Sequence, residues 1–403
     1  MIIMNLIEQV ASDPVVDQAF TWLCHSRRKQ HHNRDVWWLR FHWARERPRI
    51  QQALLAGTYR FDAVQIYRTS EGAFESWSAR DALVLKALAI VLGGHLRLSE
   101  RCYHLAGNGG AKRAVCDVVE ALPKHTFVFC TDVKSYYASI DHDVLQAELG
   151  KHIDDGRVLR LLADYMQRVL YDGGVYREPG RGISLGCPLS PLMAALYLKP
   201  IDDAMDELDL FYARFMDDWV ILAPTRWKLR RAVKRVNEIL NELNVKQHPD
   251  KTFVGRISRG FDFLGYDFSP TGITGMSRRT VEKFAKRVAQ LYEQGADDVG
   301  IGQYVRRWLR WTTAGLDGRV RWKEPGYPVG CESVIGRFLP DLLSPPDTGG
   351  LWSRRSINHL TPTLVSLSAD GNEPAAVRGY KKTAPEHIRG GLNFLSVGLK
   401  PIA

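Results

Sequence analysis

Two widely separated segments place aspartates where apolar, β-rich runs end, and this placement constrains the fold more than any other feature. The first run, 127–131, ends at Asp132, and the second, 211–216, ends at the adjacent pair Asp217 and Asp218. Neighbouring carboxylates between apolar flanks repel each other in a low-dielectric site unless a cation offsets their charge. We therefore predict that two strand ends bring these three aspartates together at a divalent-metal site.

Carboxylate oxygens at strand ends suit one metal in particular. Mg²⁺ is usually held by one or two carboxylates, with water and substrate phosphates in the remaining positions. We expect Mg²⁺, with Mn²⁺ as the substitute ion, and the implied chemistry is phosphoryl or nucleotidyl transfer.

Composition narrows the class of protein and its partner. The chain has 403 residues, 45% hydrophobic and 25% charged, which is enough to bury a substantial core divided into two or three subdomains. The net charge of +10 favours a polyanionic partner, and nucleic acid fits better than a membrane. No apolar run approaches the length of a membrane span, and the amino-terminal segment lacks the basic flank and cleavage site of a signal peptide, so we expect a cytoplasmic protein. The six cysteines lack metal-site spacing and are predicted to be buried thiols.

Basic residues concentrate in two predicted helical regions. Between His25 and Arg49 there are eight Lys or Arg residues against two acidic ones, interleaved with aromatic residues, which predicts either an RNA-binding extension or a solvated helix face. Residues 277–314 form the second basic region, predicted to be helical with Phe284 and Tyr292 directed inward. Its basic residues either grip a nucleic-acid backbone or form an unspecific surface.

Several local patterns predict the intervening elements. Residues 61–75 read as a strand and turn, and residues 79–98 as a helix. The glycine-rich loop at 106–110 is either a phosphate cradle or an ordinary connector. Asp141 reads as the N-cap of a helix, and the segments 253–255 and 260–266 read as a second hairpin.

Five motifs follow one another along the chain. They are Asp132, GISLGCPLSP at 182–191, FMDD at 215–218, Lys251 with Thr252, and GFDFLG at 260–265. In order and spacing these motifs resemble those of bacterial reverse transcriptases of the group II intron type. This resemblance implies an α+β fold, a right-hand polymerase with fingers, an antiparallel palm sheet with helices, and a helical thumb.

The resemblance extends outward and implies domain boundaries. Segments 54–60 and 78–83 are similar to the family's fingers, and 304–311 to its thumb. The expected division is a basic helical extension at 1–60, fingers at 61–125, a palm at 126–270 with part of the fingers inserted at 143–180, a thumb at 271–325, and a tail of unknown role at 326–403.

The resemblance also implies roles for individual residues. Asp132 and Asp217 would bridge two metal ions with help from the Val133 backbone carbonyl, Asp218 being the further ligand. Tyr137 falls at the position that excludes the ribose 2′-hydroxyl, although a buried core aromatic is the alternative. Lys251 matches the general acid for pyrophosphate, unless it is a plain surface lysine.

Other contacts follow from the same resemblance. Arg68 and Arg80 are expected to grip the triphosphate. Where the family usually has Pro-Gln-Gly at the substrate loop, this chain has Ser184, Leu185 and Gly186, so the substrate-contacting glutamine is replaced by an aliphatic residue. The residues expected to hold nucleic acid are Arg278, Arg279, Lys283, Arg306, Arg307 and Arg310.

The resulting hypothesis is an RNA-directed DNA polymerase that uses an RNA template, a DNA primer and dNTPs. The sequence shows no integrase, HNH endonuclease or RNase H motif. We therefore expect an enzyme that acts on a dedicated structured RNA, as retron, diversity-generating and anti-phage defence reverse transcriptases do. The alternative is a maturase-like RNA-binding protein in which polymerisation is secondary. RNA-directed RNA synthesis is disfavoured by Tyr137, and the sequence leaves homo-oligomer formation open.

Overall fold

The computed structural model describes residues 5–69 and 72–316, and the statements below concern those residues. The predicted tail at 326–403 and the end of the predicted thumb lie outside them. The described helices, in chain order, are α1 Leu6–Val10, α2 Asp13–Ser26, α3 Asp35–Phe41, α4 Trp43–Leu55, α5 Ala79–His95, α6 Gly110–Ala121, α7 Tyr136–Ser139, α8 His142–Gly150, α9 Gly156–Met166, α10 Ser190–Tyr197, α11 Lys199–Glu207, α12 Arg226–Glu242, α13 Arg278–Glu293 and α14 Asp298–Thr313.

The described strands form three sheets, which together with the helices make an α+β fold. Their orders are β2-β1-β4-β5, β6-β7-β3-β8 and β11-β10-β9. The strands are β1 Val64–Thr69, β2 Gly72–Ser76, β3 Phe127–Asp132, β4 Leu170–Asp172, β5 Val175–Arg177, β6 Phe211–Phe215, β7 Asp218–Ala223, β8 Phe253–Arg256, β9 Phe261–Phe263, β10 Tyr266–Ser269 and β11 Gly272–Met276.

The sheet β6-β7-β3-β8 is antiparallel and positions the aspartates. Its two central strands are nearly continuous apolar runs, because helices cover one face of the sheet and other elements of the fold cover the rest of its surface. Trp219 and Ile221 of β7 and Phe129 of β3 are fully buried. The amphipathic helix α12 packs against β7 and β3 through residues spaced three or four apart. Burial of this core fixes the strand register, since a slip by one residue would turn the apolar side chains outward.

The amino-terminal helices pack on α5, which is buried on nearly all sides. Helices α1, α2 and α3 all contact α5, and the Ala79 amide donates to Asp35 Oδ2 over 2.5 Å. The predicted helical character of this region is confirmed from Leu6 to Leu55, with an interruption at 27–34. Four of its eight basic residues lie in that interruption, and the other four lie on α3 and α4.

The predicted second hairpin is wrong. Strand β8 pairs with β3 in the central sheet, whereas β9 pairs with β10 in the separate sheet β11-β10-β9. A short 3₁₀ turn at Ile257–Arg259 separates the two strands, and Gly260 at φ +76° redirects the chain. The positive φ at that point favours glycine.

Three smaller expectations can be compared with the structure. Tyr292 was expected to face inward but is exposed in the last turn of α13, whereas Phe284 of the same helix is buried and stacks on Trp308 with ring centroids 4.1 Å apart. Asp141 is confirmed as an N-cap, since its side chain accepts from the amides of Asp143 and Val144. No helix in the described ranges is long and apolar enough to cross a membrane.

The lysine that follows the glycine-rich loop at 106–110 joins two helices. The Lys112 ammonium is half-buried against Tyr266 and donates to the Trp311 carbonyl at 2.5 Å. Burial lowers the pKa of Lys112 to about 8. This lysine therefore ties α6 to the end of α14, and the two roles predicted for the loop stay predictions. Cys102, Cys130 and Cys187 are buried thiols, as the sequence predicts, whereas Cys24 and Cys116 are only half-buried. Cys331 lies outside the described residues.

Candidate active site

Three aspartates meet at one end of the central sheet. Asp132 is the last residue of β3 and lies directly opposite Asp218, the first residue of β7. Opposed residues of antiparallel strands project to the same face, with Cβ atoms about 4.5–5.5 Å apart. Asp217 follows Met216 in the two-residue turn between β6 and β7. The strand ends therefore bring the three carboxylates within electrostatic reach of one another.

The charges in this cluster are poorly compensated. Burial, followed by the negative charge of Asp132, raises the pKa of Asp217 to about 6. Burial and then the charges of Asp132 and Asp217 raise the pKa of Asp218 well above its ordinary value. Each raised pKa means that the folded protein resists carrying the second and third negative charges. A cation placed between these groups would relieve that resistance.

Lys251 already approaches the cluster from one side. Its ammonium forms an ion pair with Asp132 Oδ2. The 3₁₀ turn Pro249–Lys251 is held beside β3 because the His248 amide donates to the Asp132 carbonyl at 2.8 Å. The Lys251 side chain remains 43% exposed, whereas that of Asp132 is 9% exposed. The sequence predicts Lys251 near the reaction but gives no sign of this pairing.

The donor set fits Mg²⁺ in its chemistry. Within residues 5–69 and 72–316, no group of three or more His, Cys, Asp or Glu side chains is arranged to hold a metal ion without adjustment. Asp132 Oδ1, however, is buried without a hydrogen-bond partner, and an orphaned carboxylate oxygen is a ready ligand for a cation. Val133, the other predicted ligand through its carbonyl, is buried next to Asp132 and bridges to Gln247. An ion in the cluster would compete with Lys251 for Asp132.

Tyr137 lies against the turn that carries the aspartates. Its hydroxyl donates to Met216 Sδ at 3.5 Å, and the side chain is half-buried. Burial and then the charge of Asp217 raise the pKa of Tyr137, so the phenol stays protonated. The Tyr137 side chain thus packs against the hydrophobic core and also reaches the turn that carries Asp217.

The predicted substrate loop is bonded to the same region. The Ile183 amide donates to the Tyr137 carbonyl at 2.8 Å, and Gly182 adopts φ +85°. A Cβ atom at Gly182 would lie 2.9 Å from Ala138 Cα, so only glycine allows this approach. Leu185 is 44% exposed and Gly186 is also exposed. The loop therefore presents these two residues outward from an anchored base.

The two fingers arginines already have partners in the protein. Arg68 forms an exposed ion pair with Asp172 at 2.5 Å. Arg80 is exposed and lies over the ring of Tyr59, with Cζ 5.3 Å from the centroid. Exposed ion pairs contribute little energy, so Arg68 can exchange its partner for a phosphate at low cost. Sequence reasoning identified both residues but not their present contacts.

A buried ion pair that the sequence analysis missed joins β2 to the substrate loop. Arg168 Nε and Nη2 donate to the two Glu75 carboxylate oxygens at 2.7 and 2.9 Å. Arg168 Nη1 also donates to the Gly182 carbonyl at 2.9 Å. Bidentate pairing of this kind fixes geometry as well as charge.

A second missed ion pair lies behind the aspartates. Arg214 of β6 donates to Asp202 of α11 from Nε at 2.8 Å and from Nη2 at 2.5 Å, and neither side chain is exposed. Its Nη1 donates to the Met216 carbonyl at 3.0 Å. An arginine between apolar residues in a predicted strand is a signal for a buried acidic partner, and this signal was available in the sequence.

His104 is the third missed residue. Its Nδ1 accepts a hydrogen bond from the Met216 amide at 3.0 Å, and its Nε2 lies 3.1 Å from the Pro191 carbonyl. Burial, followed by the charge of Arg214, lowers the pKa of His104 to about 4. The ring is therefore neutral and touches both the aspartate turn and the start of α10.

The predicted nucleic-acid-binding residues lie on α13 and α14. All six are exposed, as a backbone-binding surface requires. Arg278 pairs with Glu282 at 2.7 Å, and Arg279 donates to the Asp250 carbonyl at 2.8 Å, next to Lys251. The exposed members of the set are Arg278, Arg279, Lys283, Arg306, Arg307 and Arg310.

Residues 95–268 match the family model described as reverse transcriptase (RNA-dependent DNA polymerase). Protein YkfC of Escherichia coli K12 is 22% identical over 170 residues, which cover 34% of this chain and 45% of that protein. An uncharacterized 91 kDa protein in cob intron of Schizosaccharomyces pombe is 29% identical over 136 residues, covering 32% of this chain and 16% of that protein. The chain thus spans less than half the length of both curated relatives.

Two solved structures also show similarity. A chain of a partial Cas6-RT-Cas1–Cas2 complex is 18% identical, with a TM-score of 0.37, and the match covers 59% of this chain and 43% of that one. A chain of the Cas6-RT-Cas1–Cas2 complex has the same identity and TM-score, with 27% of that chain covered.

Proposed function

We propose that this chain is an RNA-directed DNA polymerase that extends a primer with dNTPs, because residues 95–268 match the reverse transcriptase family model. The observation that carries the proposal is the direct pairing of Asp132 with Asp218, with Asp217 in the adjoining turn. This arrangement places three carboxylates from distant segments at one strand end, where a phosphate-bound metal can be shared.

Asp132 and Asp217 are the proposed ligands of two Mg²⁺ ions, with Asp218 and the Val133 carbonyl as further donors. When bound, Mg²⁺ promotes ionisation of the primer 3′-hydroxyl and neutralises charge on the departing pyrophosphate. The orphaned Asp132 Oδ1 and the raised pKa of Asp217 support this assignment, because both indicate negative charge that lacks a partner. Mn²⁺ is expected to replace Mg²⁺ at the same ligands.

Lys251 is the proposed proton donor to pyrophosphate. Its ammonium pairs with Asp132 at the edge of the cluster. The side chain is exposed enough to move away from Asp132 when a cation takes that carboxylate. A proton transferred from a positioned side chain typically accelerates a reaction about 10²- to 10⁴-fold.

Tyr137 is the proposed selector of deoxynucleotides. Its contact with Met216 holds the ring beside the aspartate turn, where it would collide with a ribose 2′-hydroxyl. Replacing Tyr137 with alanine should raise ribonucleotide incorporation relative to dNTP incorporation. Tyr137→Phe is the matched control, because it keeps the ring and loses only the hydroxyl. An unchanged ratio in the alanine variant would assign discrimination to another residue.

The remaining loop and fingers residues are proposed to contact the incoming nucleotide. Leu185 and Gly186 would face the template and base from the anchored substrate loop. Arg68 would release Asp172 to bind the triphosphate, and Arg80 would approach from its position over Tyr59. The proposed layout assigns 61–125 to fingers, 126–270 to the palm and 271–325 to the thumb.

The basic helices are proposed to hold the nucleic acid. Exposed arginines and lysines of α13 and α14 would contact the duplex backbone, where each phosphate contact releases counterions. At the amino terminus we define an aromatic surface consisting of Trp38, Phe41 and Arg45. Trp38 and Phe41 are 51% and 86% exposed, and Arg45 lies over the Trp38 ring. Exposed rings beside arginine suit stacking on unpaired RNA bases.

The aromatic surface also favours the second candidate, a maturase-like RNA-binding protein in which polymerisation is secondary. The double variant Trp38→Ala with Phe41→Ala should weaken RNA binding, with Trp227→Ala as a control at another exposed tryptophan. Under the polymerase proposal, Asp217→Asn abolishes extension while RNA binding is kept. We propose that the natural template is a structured RNA and that the primer and any partners act together with this RNA.

Primer extension tests the proposal. Purified protein, Mg²⁺, an RNA template and a DNA primer should give extension with dNTPs. Asp217→Asn and Asp218→Asn should each lower the rate at least about 100-fold, because each removes charge stabilisation of the reacting groups. Asp206→Asn, at an exposed position of α11, is the matched control. Equal extension by the wild type and the two site variants would overturn the assignment.

A further inference from the structure

The turn that carries Asp217 has a strained backbone. Met216, the first of its two residues, adopts φ +61°. That left-handed conformation is costly for a residue with a side chain, and hairpin turns usually place glycine, asparagine or aspartate there. A strained residue persists only where its surroundings determine its conformation. Some contact must therefore hold Met216 in place.

Both polar groups of the Met216 backbone are bonded to buried side chains. The amide donates to His104 Nδ1 at 3.0 Å, and the carbonyl accepts from Arg214 Nη1 at 3.0 Å. Arg214 is itself fixed by its two bonds to Asp202. Hydrogen bonds to buried side chains thus fix both the amide and the carbonyl of Met216.

The chain delivers His104 to this position through a short extension of the central sheet. The Arg214 amide donates to the Arg101 carbonyl at 2.9 Å, and the Tyr103 amide donates to the Arg214 carbonyl at 2.8 Å. Cys102 therefore bridges β6 at Arg214 in parallel orientation. His104 comes two residues after Cys102, level with the turn that follows β6.

The two nitrogens of the His104 ring have different roles. An amide can only donate, so Nδ1 must carry the lone pair that accepts from Met216. The proton is then on Nε2, which donates to the Pro191 carbonyl at 3.1 Å. The Cys102 thiol lies 3.4 Å from Nδ1 and can add a weak second bond. Pro191 lies at the start of α10, directly after the substrate loop.

We propose that His104 is a positioning residue that fixes Asp217 by holding the Met216 amide and that links this turn to the base of the substrate loop. The inference rests on the proposed polymerase function for its kinetic consequence. The linkage has a structural consequence that does not depend on activity.

The structural consequence is protection of one amide from hydrogen exchange. The chain has seven methionines, so selective ¹⁵N-methionine labelling gives a spectrum in which Met216 can be assigned by its loss in Met216→Leu. The Met216 amide should exchange slowly in the wild-type protein. Exchange as fast as that of an exposed amide would overturn the proposal without any variant at His104.

Two substitutions at His104 separate its two bonds. In His104→Asn the side-chain oxygen can take the place of Nδ1 and accept from Met216. In His104→Gln the longer side chain can take the place of Nε2 and donate to Pro191, leaving the Met216 amide without an acceptor. We expect Met216 exchange to accelerate at least about tenfold in the glutamine variant and to remain near wild type in the asparagine variant.

The kinetic readout follows the same pair. His104→Gln should lower kcat about 10- to 100-fold with unchanged KM for dNTP, because a small displacement of a reacting group is costly while binding is untouched. His104→Asn should stay within about threefold of wild type. Equal effects of the two substitutions on exchange and on kcat would reduce His104 to a packing role. A wild type without polymerase activity but with a protected Met216 amide would overturn the proposed function and leave the linkage intact.

Discussion

The front and the back of the aspartate turn differ in how their charges are compensated. At the back, Asp202 is buried but bonded by Arg214 through two nitrogens. At the front, Asp132 has one paired oxygen and one orphaned oxygen, and the pKa of Asp217 is raised to about 6. The comparison shows that a fully hydrogen-bonded ion pair, Arg214 with Asp202, supports a cluster of aspartates whose negative charge is only partly compensated. Unsatisfied charge is a property that a site for cations requires.

The largest expected effect lies at the back. Arg214→Met should lower the free energy of unfolding by about 3–5 kcal/mol, because it leaves the Asp202 carboxylate buried without a partner. Urea denaturation measures this loss. Arg68→Met removes an exposed pair with Asp172 and should cost less than about 1 kcal/mol. Similar losses in the two variants would mean that the back is not the rigid side.

The next effect concerns Lys251 at the front. Lys251→Met should lower kcat about 100-fold through loss of the proton donor. The same variant should reach half-maximal rate at a lower Mg²⁺ concentration, since the lysine no longer competes for Asp132. Lys246→Met, at a nearby exposed lysine, should change neither quantity. An unchanged Mg²⁺ dependence would show that Lys251 does not compete with the ion for Asp132.

Asp217 offers a test through pH. Its pKa in the folded protein, about 6, lies above its ordinary value of 3.8, so the folded state binds this proton more tightly than the unfolded state. The resulting destabilisation appears as pH rises above about 4 and is complete above about 6. Without Mg²⁺, Asp217→Asn should therefore be more stable than wild type by about 1–2 kcal/mol at pH 7.5, after allowance for solvent screening.

The stability difference should vanish below pH 4 and shrink when Mg²⁺ is added. Denaturation curves across this pH range, with and without the ion, provide the measurement. If Asp217→Asn were less stable than wild type at pH 7.5, the negative charge of Asp217 would not destabilise the folded protein.

The smallest effect is expected at Leu185. Leu185→Gln restores an amide at an exposed position of the substrate loop, where one added hydrogen bond is worth about twofold to tenfold. Misincorporation on an RNA template should change by that factor. Gly186 should be kept in the comparison, because its φ of +88° makes any side chain there a backbone change. No change in misincorporation would place Leu185 outside substrate contact.

The sequence predicts the front of the site better than its back. Asp132 and Asp217 are identified because each ends an apolar run, and strand pairing then brings them together. His104, Arg168 and Asp202 are missed because their partners lie in other elements of the fold and no periodicity records such contacts. The second hairpin fails for a related reason, since strand patterns do not state which sheet a strand joins.

The count of bound Mn²⁺ ions tests the central claim most directly. A complex of the protein with RNA template, dideoxy-terminated primer and the next dNTP can be titrated with Mn²⁺ and followed by electron paramagnetic resonance. Wild type and Asp206→Asn should bind about two ions per complex, and Asp217→Asn should lose at least one. The same count in all three proteins would contradict the account, because Asp217 would then hold no cation.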